Sequence, residues 1–128
     1  MKGKDVLPSE VISSFIKQIK EYQSLYNGAK QVVDYENSKL QDLLHKIEFS
    51  DGKSRYAVAK ELQGSRKTRR VNKDEMILYT DIIEFFENPA HAKTLKAMER
   101  LVGDQRKQEK FLSGERTYTP KVAERNTK

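Results

Sequence analysis

The strongest constraint in this 128-residue chain is a run of apolar residues that recurs in sevens across its first third. Ile12, Ile19, Tyr26, Val33, Leu40 and Ile47 occupy one register, and Phe15, Tyr22, Ala29 and Leu43 occupy a second that only Glu36 interrupts. A spacing of about 3.5 residues held over about five heptads keeps one stripe of a helix turned toward a partner helix, as in a coiled coil or long helical hairpin. The pattern predicts one helix from Ser9 to Phe49, with Pro8 and Ser9 supplying its first turn and cap. Asn27-Gly28 lies inside it, and glycine costs about 1 kcal/mol against alanine there, but the register passes through unshifted and favours continuity. At about 1.5 Å per residue the helix is roughly 60 Å long, more than a compact domain of this size needs. The stripe formed by Ile12, Phe15, Ile19, Tyr22, Tyr26, Val33, Leu40, Leu43 and Ile47 therefore reads as the seam of a homo-oligomer.

Punctuation divides the remainder. Ser50-Asp51-Gly52-Lys53-Ser54 combines a glycine with capping residues and marks a turn. A second helix is expected from Ser54 to Glu87, with Val58 and Leu62 near its start and Met76, Tyr79, Ile82, Ile83, Phe85 and Phe86 near its end. Between Gly64 and Glu75 its only aliphatic residue is Val71, so that middle is either a solvated helical stretch or a loop dividing two shorter helices. Asn88 suits a cap and Pro89 a first helical position. The third helix thus begins at Pro89, carries Ala92, Leu95, Met98, Leu101 and Val102 on one face, and runs to Leu112 before Ser113-Gly114. Beyond Glu115 there is no helical pattern, and Thr119-Pro120 reads as extended. The expectation is an all-α chain with a single helical domain over 1–122, an extended C-terminal tail and disorder over 123–128.

Composition narrows the function. There is no cysteine, which excludes disulfides and thiolate chemistry and gives weak preference to a cytoplasmic setting. No stretch approaches 18 apolar residues, so no membrane span is expected. The net charge of +6 is unevenly spread: residues 1–50 hold seven basic and seven acidic side chains, residues 51–100 eleven against eight, and residues 101–128 seven against four. A positive half beside a neutral half suits anionic partners, although a mixed solvated surface gives the same totals.

Catalytic signatures are missing. His45 and His91 have no carboxylate or cysteine cluster at metal-ligand spacing, no glycine-rich phosphate loop follows a strand, and no serine sits in a nucleophile elbow. Asp81, Glu84 and Glu87 stand at helical spacings that suit either a cation or a solvated acidic face. The chain is expected to be no enzyme and to need no cofactor or metal. The basic constellation is the better candidate. Arg66, Arg69, Arg70 and Lys73 lie three, four and seven residues apart and project from one helix face. Such cations repel unless an anion, or acids such as Asp74 and Glu75, lies between them, and guanidinium forks fit phosphate oxygens. Arg106, Lys107 and Lys110 form a second group, continued by Arg116, Tyr118 and Lys121, where a tyrosine among cations can stack on a base or pin the tail to the bundle.

The stretches Leu44-His45-Lys46-Ile47-Glu48-Phe49, Arg69-Arg70-Val71-Asn72-Lys73-Asp74-Glu75, Leu101-Val102-Gly103-Asp104-Gln105-Arg106-Lys107-Gln108-Glu109-Lys110 and Arg116-Thr117-Tyr118-Thr119-Pro120-Lys121-Val122 resemble small uncharacterised accessory proteins of phages and prophages of Gram-positive bacteria. The resemblance covers roughly residues 40–122 and implies a viral origin and a short accessory protein, which fits an anti-defence role in the host cell. Three readings follow. The favoured one is an oligomer whose basic clefts sequester a phosphate-bearing small molecule such as a nucleotide immune signal. The alternatives are a nucleic-acid binder gripping the phosphate backbone, and an adaptor or inhibitor that binds a host protein.

Overall fold

The computed structural model describes residues 6–114, and within them the chain forms three helices and no strand: α1 (Pro8–Glu48), α2 (Gly52–Glu87) and α3 (Pro89–Ser113). The expected tail, with Arg116, Tyr118 and Lys121, lies outside the described residues. Helix α1 runs unbroken through Gly28, and α2 is continuous through its charged middle, so the loop alternative for 64–75 is set aside.

Side chains cap the two later helix starts, and α2 begins at Gly52 rather than at the expected Ser54. The Asp51 carboxylate accepts the Ser54 N–H at 2.8 Å and Asn88 Oδ1 accepts the Ala90 N–H at 2.9 Å, each satisfying a donor that the first helical turn leaves unpaired. The Ser54 N–H also holds the Asp51 carboxyl below its usual range. The start of α1 differs from expectation. Pro8 disfavours a helical conformation in the residue before it, so Leu7 takes the extended N-cap position with ψ 150° while Ser9 falls inside the first turn. The Glu10 carboxylate then reaches back to the Leu7 N–H at 3.0 Å.

The pairings across the helices fix their directions. Tyr22 stacks on Tyr79 with ring centroids 5.0 Å apart, Glu36 meets Ser65, Asn37 accepts from Arg69 Nε at 2.7 Å, and Lys39 faces Glu61 at 3.8 Å. Rising numbers on α1 meet falling numbers on α2, so the two form an antiparallel hairpin. Helix α3 is also antiparallel to α1: Ser9 meets Glu109, Ser13 meets Arg106, and Lys20 meets Glu99. Thus α2 and α3 follow one another along the same long helix, with α2 on its C-terminal two thirds and α3 on its N-terminal third. Tyr79 sits beside Tyr22 and Glu99 beside Lys20, so the intervening chain leaves α1, folds at Asn88 and returns. Ile82, Phe86 and Met98 on its inner side close over the cluster of Ile16, Ile19, Leu95 and Val102.

This division decides which face of α1 is buried. Ala29, Val33 and Leu43 are buried, Tyr26, Leu40 and Ile47 are half-buried, and all belong to the heptad stripe. Near the N-terminus Ile16, which lies off the heptad stripe, is buried with Ile19 while Ile12 is half-buried, because α3 packs on a neighbouring face there. Phe15, expected in the seam, is 48% exposed, and Leu7 and Val11 beside it are exposed as well. The seam expected to join separate chains is thus covered from within the chain wherever α2 or α3 reaches it. Glu36, the interruption in the heptads, is 7% exposed and accepts a hydrogen bond from the Ser65 hydroxyl, itself buried, which satisfies the carboxylate in the otherwise apolar interface.

Two outcomes test this packing. Ser65→Ala leaves Glu36 buried without its donor and should cost about 1–3 kcal/mol, whereas the double change Glu36→Leu with Ser65→Ala should recover most of that loss in chemical denaturation. Gly28→Ala adds a Cβ into open space in mid-helix and should raise stability by about 0.5–1 kcal/mol.

Candidate phosphate-binding groove

The basic residues singled out by sequence do not converge within one chain. Arg69 lies beside Asn37 and Arg106 beside Ser13, positions 24 residues apart on α1 and therefore about 36 Å apart at about 1.5 Å per residue. The two groups behave differently. On α2, Arg69 is half-buried at the edge of the hairpin and tied to Asn37, while Arg66, Lys67 and Arg70 line a shallow groove with Ala59, Leu62 and Gln63 on the outer surface. Lys73 is exposed, and among the described residues none of Arg66, Lys67, Arg70 and Lys73 takes an ion-pair partner within 4 Å. Asp74 and Glu75 do not pair with them.

The second group is built into a junction. Where α3 ends over the start of α1, Glu109 accepts the Ser9 N–H at 2.9 Å and the Ser9 hydroxyl at 2.6 Å. A carboxylate on a neighbouring helix thus occupies the electropositive end of α1, a place that favours negative charge. The Ser9 hydroxyl, then its N–H and the nearby Arg106 guanidinium, hold the Glu109 carboxyl below the ordinary value of about 4.5. One turn along, Arg106 Nη2 reaches Ser13 Oγ at 3.5 Å, the limit of hydrogen bonding, which leaves its remaining donors free.

Between these helices lies a groove of about 270 Å³ lined by Ser13, Ile16, Lys17, Lys20, Glu99, Val102 and Arg106. Its make-up is specific: buried Ile16 and Val102 form an apolar floor, and three cations and a hydroxyl stand around it. Glu99 neutralises Lys20 at 2.6 Å. Lys17 and Arg106 have no such partner among the described residues and remain available to an anion. The adjoining surface of α3 continues the charge through Lys93, Lys96 and Arg100, with Glu99 common to both stretches. Lys107 and Lys110 are exposed near the same end of the helix. Lys17 and Lys20 were not singled out by sequence because both lie within the helix read as a seam, and their approach to Arg106 spans about ninety positions. The only signal available was that both fall between the heptad positions Phe15, Ile19 and Tyr22, on the outward side.

The histidines take packing roles. His91 stacks on Phe85 at 3.8 Å and its Nδ1 faces the Phe85 carbonyl at 2.9 Å, which requires the N–H on that nitrogen; His45 stacks on Phe49. Among the described residues no group of three or more potential ligands is placed to hold a metal, and no helix is long and apolar enough to cross a membrane. No protein-family model, curated protein or solved structure matches the chain.

The Glu109 junction carries a pH signature. Its folded pKa is depressed, so the stabilisation is complete above the unfolded value and is lost as pH falls through the lower folded one. Glu109→Gln should lower the melting temperature at pH 7, and the gap to the unmodified protein should close as pH drops below about 4. A gap that persists unchanged at pH 2.5 would show that packing, not charge, is lost.

Proposed function

We propose that this is a non-enzymatic binding protein that holds a phosphate-bearing ligand in the groove between α1 and α3. The carrying observation is the juxtaposition of Lys17, Arg106 and the Ser13 hydroxyl around the apolar floor of Ile16 and Val102. A guanidinium fork and an ammonium neutralise phosphate oxygens, the hydroxyl adds a donor, and the isoleucine and valine offer a surface on which a base or sugar can rest. At about 270 Å³ the groove is slightly smaller than the roughly 300–1,000 Å³ of enclosed small-molecule sites, so it suits one phosphorylated nucleoside lying partly in solvent. Holding a nucleotide without converting it fits the sequestering reading of the basic residues.

A second reading has its own support. The continuation of positive charge over Lys93, Lys96 and Arg100 offers contacts to successive phosphates of a nucleic acid. Calorimetry with ATP, beside binding of a fluorescent single-stranded oligonucleotide at about 50 and 200 mM salt, separates the two. A nucleotide site should give saturable heat that changes modestly with salt, whereas a polymer gripped through six to ten phosphates should lose about three to five decades of affinity. Lys17→Ala with Arg106→Ala should weaken ATP binding at least tenfold while leaving helical content unchanged. Absence of ATP heat in the unmodified protein would overturn the nucleotide reading.

A further inference from the structure

Helix α2 carries its charge in two blocks that the groove does not use. Residues 60–73 contain six cations and a single acid, Glu61, which faces Lys39; residues 74–87 contain five acids and no cation. Arg70, Ile77 and Glu84 are seven residues apart and so form one stripe along the helix. Lys73 and Asp81 flank it, each four residues from Ile77. All five side chains are exposed, with Ile77 at 64%, and among the described residues the four charged ones take no ion-pair partner within 4 Å. Beside the boundary between the blocks, Leu78 is 69% and Val71 65% exposed, an apolar surface that no other part of the described chain covers.

We propose that this face binds a second copy of the chain, α2 against α2 in antiparallel orientation, with the two-fold axis near Ile77. The sequence is self-complementary about that point. An antiparallel copy brings Arg70 opposite Glu84 and Lys73 within reach of Asp81, and two-fold symmetry repeats both pairs on the other side. A parallel copy sets cations on cations and acids on acids. Burial of Ile77 against its symmetry mate supplies the apolar contact, with Leu78 and Val71 along one edge of the interface, and the charges select orientation and register rather than strength. The interface lies on the outer side of α2, away from the α1–α3 groove, so the dimer and the phosphate-binding reading stand or fall separately.

The test is a charge exchange read by light scattering and sedimentation. At micromolar concentration and low salt, the unmodified protein should give about 30 kDa, twice the 14.9 kDa chain. The variant Arg70→Glu with Lys73→Glu should run as a single chain, as should Asp81→Lys with Glu84→Lys, because each alone places like charges opposite one another. Mixed in equal amounts, the two variants should return to about 30 kDa, since every opposed pair is then of opposite sign. All four residues are exposed, and circular dichroism on each variant verifies that the helices persist. A single-chain mass for the unmodified protein at 100 µM overturns the proposal. So does retention of the dimer mass by either charge variant, or failure of the folded variants to pair on mixing.

Discussion

The architecture rests on one constraint, the length of α1. A helix of 41 residues with an apolar stripe along most of it exposes more hydrophobic surface than one 36-residue neighbour covers if that neighbour also bends away. The chain resolves this by dividing α1 between two successive helices that both run antiparallel to it. The fold at Asn88-Pro89 permits the change of partner: asparagine takes an extended conformation with ψ 124°, caps the next helix, and is followed by a proline that cannot continue the previous ladder. Excursion, cluster and groove all follow from that exchange.

The groove is a direct product of where α3 lands. Because α3 crosses to the N-terminal third of α1, it lays Arg106 beside Ser13 and Glu109 over Ser9. The Glu109 contact stabilises the start of α1 and fixes the register in which Arg106 meets Lys17. One acid therefore positions the cations around the groove without occupying it, and the other acid, Glu99, withdraws Lys20 from the set. Two cations remain uncommitted over an apolar floor.

What was legible in the sequence, and what was not, separates by range. The three helices and their order were readable because caps and periodicity are local, and Asn88-Pro89 and Ser113-Gly114 stand where the structure places them; the first two starts were not, since Leu7 rather than Ser9 caps α1 and α2 begins at Gly52 rather than Ser54. Continuity through Gly28 followed from an unshifted register. Heptads do not state which chain supplies the partner helix, and the stripe attributed to an oligomer is largely covered by α2 and α3. Nor did they show the rotation of the buried face that exposes Phe15 and buries Ile16, since that depends on α3 taking over from α2. Glu36 breaks the heptad pattern because its partner Ser65 lies 29 residues away, beyond the reach of any local signal. Each basic residue is visible in the sequence, but their separation into two groups about 36 Å apart is a property of the fold.

The two polar devices of α2 differ in kind, and the difference explains why the helix is so sparsely apolar. Toward α1, the Glu36–Ser65 contact and the Asn37–Arg69 bond on the same flank place directional groups in an interface that could otherwise slide by a heptad. Any slip separates donor from acceptor and leaves a carboxylate buried without a partner, a penalty that hydrophobic contacts alone do not impose. Away from α1, charges on the outer face stay solvated and fix no register within the chain; their blocks of opposite sign discriminate only between orientations of another helix. A helix that spent those outer positions on leucine would gain surface attraction but lose the distinction between parallel and antiparallel neighbours. Placing Ile77 and Leu78 at the boundary between the blocks keeps an apolar contact on that face without giving up direction in its pairing.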